Sequence, residues 1–229
     1  MLKIKNVEVI GWEHAIRGMR NPMNSWDKSD SQTCINCNGC LPGQDCERYK
    51  NGTFIGPNDL ELMTRLRNTG TDHRKFMRMI TVYLDMTAPL YFWKEFDTYR
   101  VGVEKNSCST MHKIHAKEFT LADFSTEHLY PEVREAFENT IIKYLNEARK
   151  TYNFLSDTPS KKDAWWQMIQ LLPTSYNQKR TVMLNYEVLA NIYKSRRNHK
   201  LDEWHTFCDW IEELPYSELI TGKEYEVEE

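Results

Sequence analysis

The sequence predicts an α+β protein with a mixed sheet and a helix-rich C-terminal half. The first observation is that the segments with strand character fall before residue 117, whereas long segments with helical periodicity follow residue 130. The second is that hydrophobic residues make up 40% of the 229-residue chain, which is enough for a packed core. We therefore expect residues 1–229 to form a single domain, with residues 32–56 as an inserted, cysteine-rich loop.

The N-terminal half contains predicted strands joined by loops and short helices. Residues 2–10 alternate apolar and polar side chains, which is the pattern of a half-buried strand, whereas residues 11–31 are polar and expected to be irregular. The residues Pro57, Asn58 and Asp59 signal the start of a helix. The remaining elements expected in this half are a short helix at about 73–79, a strand at 80–86, a helix that begins at Pro89, and a loop and strand within 100–116.

The C-terminal half is predicted to contain four helices. The clearest runs from Pro131 to about Leu155, since a proline suits the first turn of a helix and one apolar stripe follows at helical spacing. This stripe consists of Val133, Phe137, Ile141, Tyr144, Leu145, Ala148 and Tyr152. Three further helices are expected at residues 161–172, 181–195 and 200–213.

Charge and hydropathy exclude several classes of function. The net charge is −3 and the isoelectric point about 6.2, which indicates neither a nucleic-acid polymer nor a membrane surface as partner. No apolar run approaches the roughly 18 residues of a membrane-spanning helix. The N-terminus lacks the small-residue cleavage site of a signal peptide. We therefore expect a soluble, cytoplasmic protein with reduced cysteines.

Four cysteines in the predicted loop have the spacing of a metal site. Cys34, Cys37, Cys40 and Cys46 form a C-x2-C-x2-C-x5-C pattern, and four thiolates suit tetrahedral zinc. Three cysteines at this spacing also occur in iron–sulfur proteins, but the proline that follows the last ferredoxin cysteine is absent, which favours zinc. The metal would have a structural role and hold a long loop in a fixed conformation. Unligated thiols or a disulfide are the alternatives.

Two ordered stretches carry a resemblance to a known family. The first, from about Gly70 to Lys113, contains TDHRKFMRM, a strand, and then TAPLYFWKEFDTYRVGVEKNSCSTMHK. The second, LLPTSYNQKRTVMLNYEVLANIYKSR, contains Pro173, Asn185, Leu189, Asn191 and Arg196 in the family's register. Trp204 echoes a later tryptophan of the family, one residue out of step. Together these stretches resemble the flavin-dependent thymidylate synthases, ThyX.

The resemblance implies a ThyX-like fold, a homotetramer with shared active sites, and FAD as cofactor. It also implies transfer of a one-carbon unit from methylenetetrahydrofolate to C5 of dUMP or a variant pyrimidine nucleotide. Reduced flavin supplies the hydride in that family, and NADPH reduces the flavin. The protein positions the reactants and stabilises charge, because the cofactor performs the difficult chemistry.

The resemblance assigns roles to individual residues. Arg196 matches the arginine that reads and polarises the uracil ring, which makes it the candidate for catalysis as well as for substrate binding. His73, Arg100, Asn185 and Asn191 match positions on the flavin side and are the candidates for cofactor binding.

The positions that surround the nucleotide phosphate in the family are changed in this chain. A glutamine, two arginines and a serine are replaced by Glu95, Thr98, Thr110 and Cys108. A carboxylate beside a phosphate is unfavourable unless cations compensate. Glu95 and Lys105 are the candidates for substrate binding here, and the nearby Lys94, His112 and Lys113 are further possible cations. The sequence thus predicts a rebuilt phosphate site or a different substrate.

Other interpretations stay open at this point. The chain could be a non-catalytic or repurposed ThyX-fold protein that binds a nucleotide-like ligand or a protein partner, with a zinc-stapled loop as the contact surface. Arg196 could be an exposed basic helix end, and Cys108 could be a small buried residue. Four tryptophans are expected to lie in the core or a subunit interface: Trp165, Trp166, Trp204 and Trp210.

Overall fold

A computed structural model of the protein describes residues 2–33, 53–156 and 159–222. The chain divides into two compact units, each built from separate segments. The first comprises Met1–Ile4, Asp85–Thr98 and Asn106–Thr181. The second comprises Lys5–Leu84, Tyr99–Lys105 and Val182–Glu229.

The described residues form two sheets. The strands are β1 (Lys3–Ile10), β2 (Gln32–Thr33), β3 (Thr53–Phe54), β4 (Thr81–Pro89), β5 (Glu104–Ser107) and β6 (Asn177–Asn185). The larger, antiparallel sheet has the strand order β1-β4-β6-β5. The smaller sheet pairs β2 with β3 antiparallel, so that Thr33 lies opposite Thr53.

Nine α-helices occur in the described part of the chain. They are α1 (Trp12–Arg20), α2 (Pro57–Thr69), α3 (Leu90–Phe96), α4 (Pro131–Phe137), α5 (Lys143–Phe154), α6 (Pro159–Leu171), α7 (Tyr186–Arg196), α8 (Asp202–Glu212) and α9 (Glu218–Thr221). None of these helices combines the length and the apolar character that crossing a bilayer requires. The predicted α+β class with a helical C-terminal part is confirmed.

The long helix predicted from Pro131 is present, with one local change. A π-helical turn, Glu138–Ile142, connects α4 to α5, so that the chain is helical from Pro131 to Phe154. A π turn holds an extra residue and therefore rotates the apolar stripe. Ile142, which the stripe omits, is buried beside Leu145, whereas Val133 and Tyr144, which the stripe places inward, are exposed.

Two elements predicted from the sequence are wrong. Residues 11–31 are not wholly irregular, because α1 occupies part of them and buries Trp12, Ala15, Ile16 and Met19 at helical spacing. The helix expected at 181–195 begins only at Tyr186, since the preceding residues complete β6. In that strand Val182 and Leu184 are buried on alternate positions, which is the period of a strand.

Each unit has its own core. In the first unit, α5 and α6 close over a cluster of six buried side chains: Ile114, Phe119, Phe124, Ile142, Leu145 and Met168. In the second unit the Trp12 ring packs edge-on against the rings of Tyr186 and Tyr216, with centroid distances of 5.2 Å to both. Edge-to-face pairs of this kind stabilise a core beyond the area that they bury.

A buried ion pair fixes the segment that leads into the predicted insertion. The Asp59 carboxylate of α2 is fully buried and accepts hydrogen bonds from Arg20 Nε, Ser29 Oγ and Ser31 Oγ, each at 2.6 Å. Burial raises the pKa of Asp59, but the hydrogen bonds from Ser29, Ser31 and Arg20 outweigh it, so that the net pKa is lowered. The segment around Ser31 is therefore anchored to α2.

The predicted metal ligands lie outside the described residues. Cys34, Cys37, Cys40 and Cys46 all fall within residues 34–52. Within the described ranges, no group of three or more histidine, cysteine or acidic side chains could hold a metal ion. Zinc or iron–sulfur binding by the four cysteines therefore stays a prediction from their spacing.

Candidate functional site

The start of α7 is set by Asn185. Its side-chain oxygen accepts a hydrogen bond from the backbone N–H of Val188 at 3.0 Å, which satisfies one of the free donors at the helix N-terminus. Gly102 lies beside this cap with a φ of +72°, and a Cβ there would be 2.9 Å from the Asn185 side-chain nitrogen. Asn185, a predicted flavin contact, thus also has a structural role.

Arg196 ends α7 and lies against two aromatic residues of the second unit. Its Nε donates a hydrogen bond to the Tyr99 hydroxyl at 3.0 Å. Its guanidinium carbon is 4.9 Å from the centre of the Trp204 ring and 5.7 Å from that of Tyr99. A guanidinium stacks favourably on aromatic faces, so these contacts restrict its orientation.

Tyr99 connects two of the predicted substrate-binding residues. Besides its contact with Arg196, its backbone carbonyl accepts a hydrogen bond from Lys105 Nζ at 3.4 Å. The neighbouring Arg100 is exposed. The sequence indicates only a packing role for Tyr99, because no local pattern identifies a partner that lies 97 positions away.

Trp204 is fully buried, as expected for a core residue, and its ring lies 6.0 Å from that of Tyr99. Because this buried ring also contacts the guanidinium, the core of the second unit supports Arg196 directly. The sequence places Arg196 at a basic helix end but does not indicate that an aromatic core residue supports it.

Asn191 lines a groove beside α7, together with Ala190 and Tyr193 of the same helix. Its side-chain oxygen accepts a hydrogen bond from Arg74 Nη2 at 3.2 Å. Arg74 Nε lies 2.9 Å from the buried Glu187 carboxylate, in an ion pair whose geometry is not that of an aligned hydrogen bond. His73, the preceding residue, is exposed and is not among the residues that line the groove.

The groove has a volume of about 690 Å³ and is lined by several cations. These are Arg67, Arg74, Lys194 and Arg197. Arg67 donates hydrogen bonds to the carbonyl oxygens of Leu219 and Ile220, both at 3.3 Å. Burial and the nearby charge of Arg74 lower the pKa of Arg67, because both disfavour its cationic form. An anionic group in the groove would relieve this repulsion.

The residues that replace the family's phosphate-binding positions are not among those that line this groove. Glu95 and Thr98 belong to the first unit, where the Thr98 hydroxyl donates to the Glu95 backbone carbonyl at 2.7 Å. Cys108 is exposed, so the expectation that it is a buried small residue is wrong. Cys108 directly follows β5, and its backbone N–H donates a hydrogen bond to the Lys179 carbonyl at 2.9 Å.

Cys108 and Thr110 line a cavity of about 310 Å³ in the first unit. Two lysines, Lys117 and Lys179, line it as well. Both are ion-paired, Lys117 with Asp123 and Lys179 with Asp85. Two lysines that sequence proximity does not indicate therefore lie beside Cys108 and Thr110.

Comparison with known proteins identifies the fold. No model of a known protein family matches the sequence, and no curated protein matches it either. Among solved structures, Helicobacter pylori ThyX with FAD and dUMP aligns with a TM-score of 0.63 at 15% identity, covering 97% of this chain and 98% of that chain. A second structure of that protein, also with FAD and dUMP, gives a TM-score of 0.60 at 16% identity, with 95% and 99% covered.

A third similar structure is the UMP/dUMP methylase PolB from Streptomyces cacaoi, bound with 5-Br dUMP. Its TM-score is 0.57 at 12% identity, and the alignment covers 97% of this chain and 95% of that one. At such identities a structural likeness shows the fold, which extends over nearly the full length. The chain therefore has a ThyX-like fold.

Proposed function

We propose that this chain is a flavin-dependent enzyme that transfers a one-carbon unit from methylenetetrahydrofolate to C5 of a pyrimidine nucleotide, either dUMP or a variant of it. The observation that carries the proposal is Arg196, held at the end of α7 by the Tyr99 hydroxyl and the Trp204 ring. The structural neighbours that hold FAD with dUMP, or a dUMP analogue, support the same reaction class.

The proposed role of Arg196 follows from its chemistry. Once the new bond at C5 has formed, loss of the C5 proton places negative charge on the neighbouring carbonyl oxygen of the pyrimidine ring. A guanidinium stabilises that charge and does not deprotonate in proteins. Because Tyr99 and Trp204 already hold the group, little reorganisation is needed as the charge develops. Lys105, which donates a hydrogen bond to the Tyr99 backbone carbonyl, is proposed to assist in holding the nucleotide.

FAD fits the donor set of the groove beside α7. Arg74 is paired with the Glu187 carboxylate, whereas the charge of Arg67 is disfavoured by burial and by Arg74, and the diphosphate of FAD would stabilise it. Asn191 offers an amide for the flavin edge, with His73, Arg100 and Asn185 as further proposed contacts. When bound, the reduced flavin would supply the hydride that completes the transferred group, with NADPH as the source of electrons.

The substrate phosphate is proposed to be held differently from that of the family, with Glu95 as the changed contact. Lys117 and Lys179, which line the same cavity as Cys108 and Thr110, are proposed as cations for this phosphate. The proposed assembly is a homotetramer, and the proposed metal is a zinc ion on the four cysteines of the insertion.

The experiment that tests this function measures flavin and product together. Purified protein should show flavin absorbance, or gain it on addition of FAD. Incubation with dUMP, methylenetetrahydrofolate and NADPH should then yield a nucleotide heavier by one carbon unit, detected by mass spectrometry. Protein that stays colourless and does not take up FAD would exclude the proposal.

A second candidate is a protein of the same fold that binds a nucleotide without transferring carbon. The engagement of the Asn185 side-chain oxygen in a helix cap favours it, since that oxygen has a structural role. So does the exposed thiol in place of a serine at Cys108. Calorimetry that detects dUMP binding, combined with no product in the assay above, would select this candidate.

A further inference from the structure

The groove beside α7 lies at the point where the chain leaves α9. Ile220 and Thr221, the last residues of that helix, line the groove together with Arg67 and Lys194. None of the residues that line it in the described part of the chain is acidic. The next segment of the sequence therefore starts at the edge of a cationic surface.

Gly222 directs the chain at this point. It follows α9 with a φ of +74°, a left-handed conformation that glycine adopts without strain, and its N–H donates to the Glu218 carbonyl at 2.9 Å. A Cβ at Gly222 would overlap the Arg67 guanidinium. Arg67 also donates hydrogen bonds to the carbonyl oxygens of Leu219 and Ile220, both at 3.3 Å. The end of α9 and Gly222 are therefore held directly against one of the cations of the groove.

The segment that follows Gly222 is strongly acidic. This acidic segment, residues 223–229, has the sequence KEYEVEE. Its four glutamates and one lysine give it a net charge of −3, which equals the net charge of the whole chain. The negative charge of the protein is thus concentrated in seven residues. In an extended conformation Glu224, Glu226 and Glu228 would point to one side, because alternate side chains of an extended chain share a face.

The cations of the groove differ in the partners that they already have. Arg74 and Arg197 are paired with carboxylates of the described residues. Arg67 instead donates to neutral oxygens, namely two carbonyls of α9 and the side chain of Asn68, and Lys194 is exposed. A carboxylate beside Arg67 and Lys194 would therefore gain more than one beside the two paired arginines.

The length of the acidic segment suits the groove. Seven extended residues span about 23 Å, at roughly 3.3 Å per residue, and the groove has a volume of about 690 Å³. Because the segment is attached at the edge of the groove, its effective concentration there is about millimolar. Even an intrinsic dissociation constant of about 0.1 mM would then leave the groove about 90% occupied.

We propose that the acidic segment binds in the groove beside α7 of its own chain, with its carboxylates on Arg67 and Lys194, and that FAD must displace it. The second part rests on the proposed function, since it requires that FAD binds in this groove. The acidic segment would act as an internal competitor and lower the apparent affinity for FAD, because a site that is free for only a fraction of the time binds more weakly by that fraction.

The contact itself is tested by zero-length cross-linking of the full chain with a carbodiimide, which joins a carboxylate to an amine that it contacts. Mass spectrometry of tryptic peptides should find a glutamate of the acidic segment joined to Lys194. Much less should be joined to Lys200, an exposed lysine that does not line the groove. The yield at Lys194 should fall in about 1 M salt, which screens exposed ion pairs. An equal mixture of unlabelled and ¹⁵N-labelled protein shows whether both peptides come from one chain.

Two results of the cross-linking would overturn the inference. One is the absence of a product at Lys194, or equal yields at Lys194 and Lys200. The other is a product that joins only labelled to unlabelled chains, which would assign the acidic segment to the groove of a second copy. Neither result involves flavin, so the contact is decided independently of the proposed function.

The competition is tested by titration with FAD, followed by flavin fluorescence. The variant Glu224→Gln/Glu226→Gln/Glu228→Gln removes three carboxylates and should bind FAD about tenfold more tightly than the wild type, as expected when a competitor of about 90% occupancy is lost. In the wild type, FAD should also suppress the cross-link to Lys194.

A matched control removes the same charge elsewhere. The variant Glu135→Gln/Glu138→Gln/Glu147→Gln changes three exposed glutamates of the first unit and should bind FAD as the wild type does. If FAD binds to all three proteins with the same affinity, the competition is refuted. If FAD binds to none of them, the proposed function fails and the competition with it, whereas the cross-linking result on the contact stands.

Discussion

Two arginines of the second unit, Arg20 and Arg196, illustrate two ways in which a protein fixes a guanidinium. Arg20 is 5% exposed and donates its Nε–H to the fully buried Asp59 at 2.6 Å. Arg196 is half-buried and donates its Nε–H to a tyrosine hydroxyl, with a tryptophan ring beneath it. The first arrangement connects α1 to α2, and the second presents a cation at the end of α7.

The difference indicates what each arginine contributes. A buried arginine–carboxylate pair leaves an uncompensated charge when one partner is removed, so its loss is expressed in stability. An arginine held on aromatic faces at a helix end loses less stability when it is replaced, so its loss should be expressed in ligand binding or catalysis. Arg197, the next residue, pairs with the exposed Asp209 and serves as the reference for a surface cation.

The largest expected effect is at the buried pair. Asp59→Ala should lower the free energy of unfolding by about 3–5 kcal/mol, because Arg20 is left buried without its partner. Chemical denaturation monitored by circular dichroism measures this change. Glu61→Ala, which removes an exposed carboxylate from the same helix, is the control and should be nearly neutral. An equally small change in unfolding free energy in both variants would show that Asp59 does not have this structural role.

The same pair predicts a pH dependence. Because the folded-state pKa of Asp59 is lowered from its ordinary value of 3.8, its stabilisation is fully present above that value and is lost as the pH falls through the lowered pKa. Unfolding curves of the wild type and Asp59→Asn between pH 2 and pH 7 would measure it. The difference in stability should be constant at the upper end and shrink below about pH 4.

The second effect concerns Arg196. Arg196→Gln should reduce product formation by about 100-fold, as is typical when one preorganised donor to a developing anion is lost. The variant should fold as the wild type does, which thermal melting would verify. Lys200→Gln, at an exposed position just beyond α7, is the control for loss of a positive charge. Full activity in Arg196→Gln would show that Arg196 does not have the functional role that the comparison with Arg20 assigns to it.

The third effect is on the groove beside α7. Asn191→Ala should weaken FAD binding by about tenfold, because it removes the proposed contact with the flavin and leaves Arg74 without one of its acceptors. Titration followed by flavin fluorescence would measure the dissociation constant. Asn198→Ala, at an exposed position just beyond α7, should not change it. Equal dissociation constants for FAD in the two variants would show that FAD does not bind in this groove.

The smallest effect is expected at Arg197. Its partner Asp209 is 61% exposed, and exposed ion pairs contribute less than about 1 kcal/mol. Arg197→Gln should therefore leave the free energy of unfolding almost unchanged, in contrast to Asp59→Ala. A loss of unfolding free energy comparable to that of Asp59→Ala would show that buried and exposed arginine pairs in this unit contribute equally to stability.

The sequence predicted those elements whose signal is local. The strand β4 and the helices α2 and α8 follow from β-branched runs, turn residues and helical spacing. The missed helix α1 carried such a signal in the spacing of Trp12, Ala15, Ile16 and Met19, which the polar residues between them obscured. The end of β6 was assigned to a helix because Val182 and Leu184 also fit a helical pattern over so short a run.

For the candidate site, the sequence by itself determined that Asn185, Asn191 and Arg196 lie on one segment, since their spacing follows from a single helix. Only the tertiary structure decided their partners. Tyr99 reaches Arg196 across 97 positions and Arg74 reaches Asn191 across 117, and neither contact follows from local periodicity. The same holds for Arg67 against the end of α9. Such contacts depend on how distant segments pack into one compact unit, which sets the orientation and surroundings of each charge.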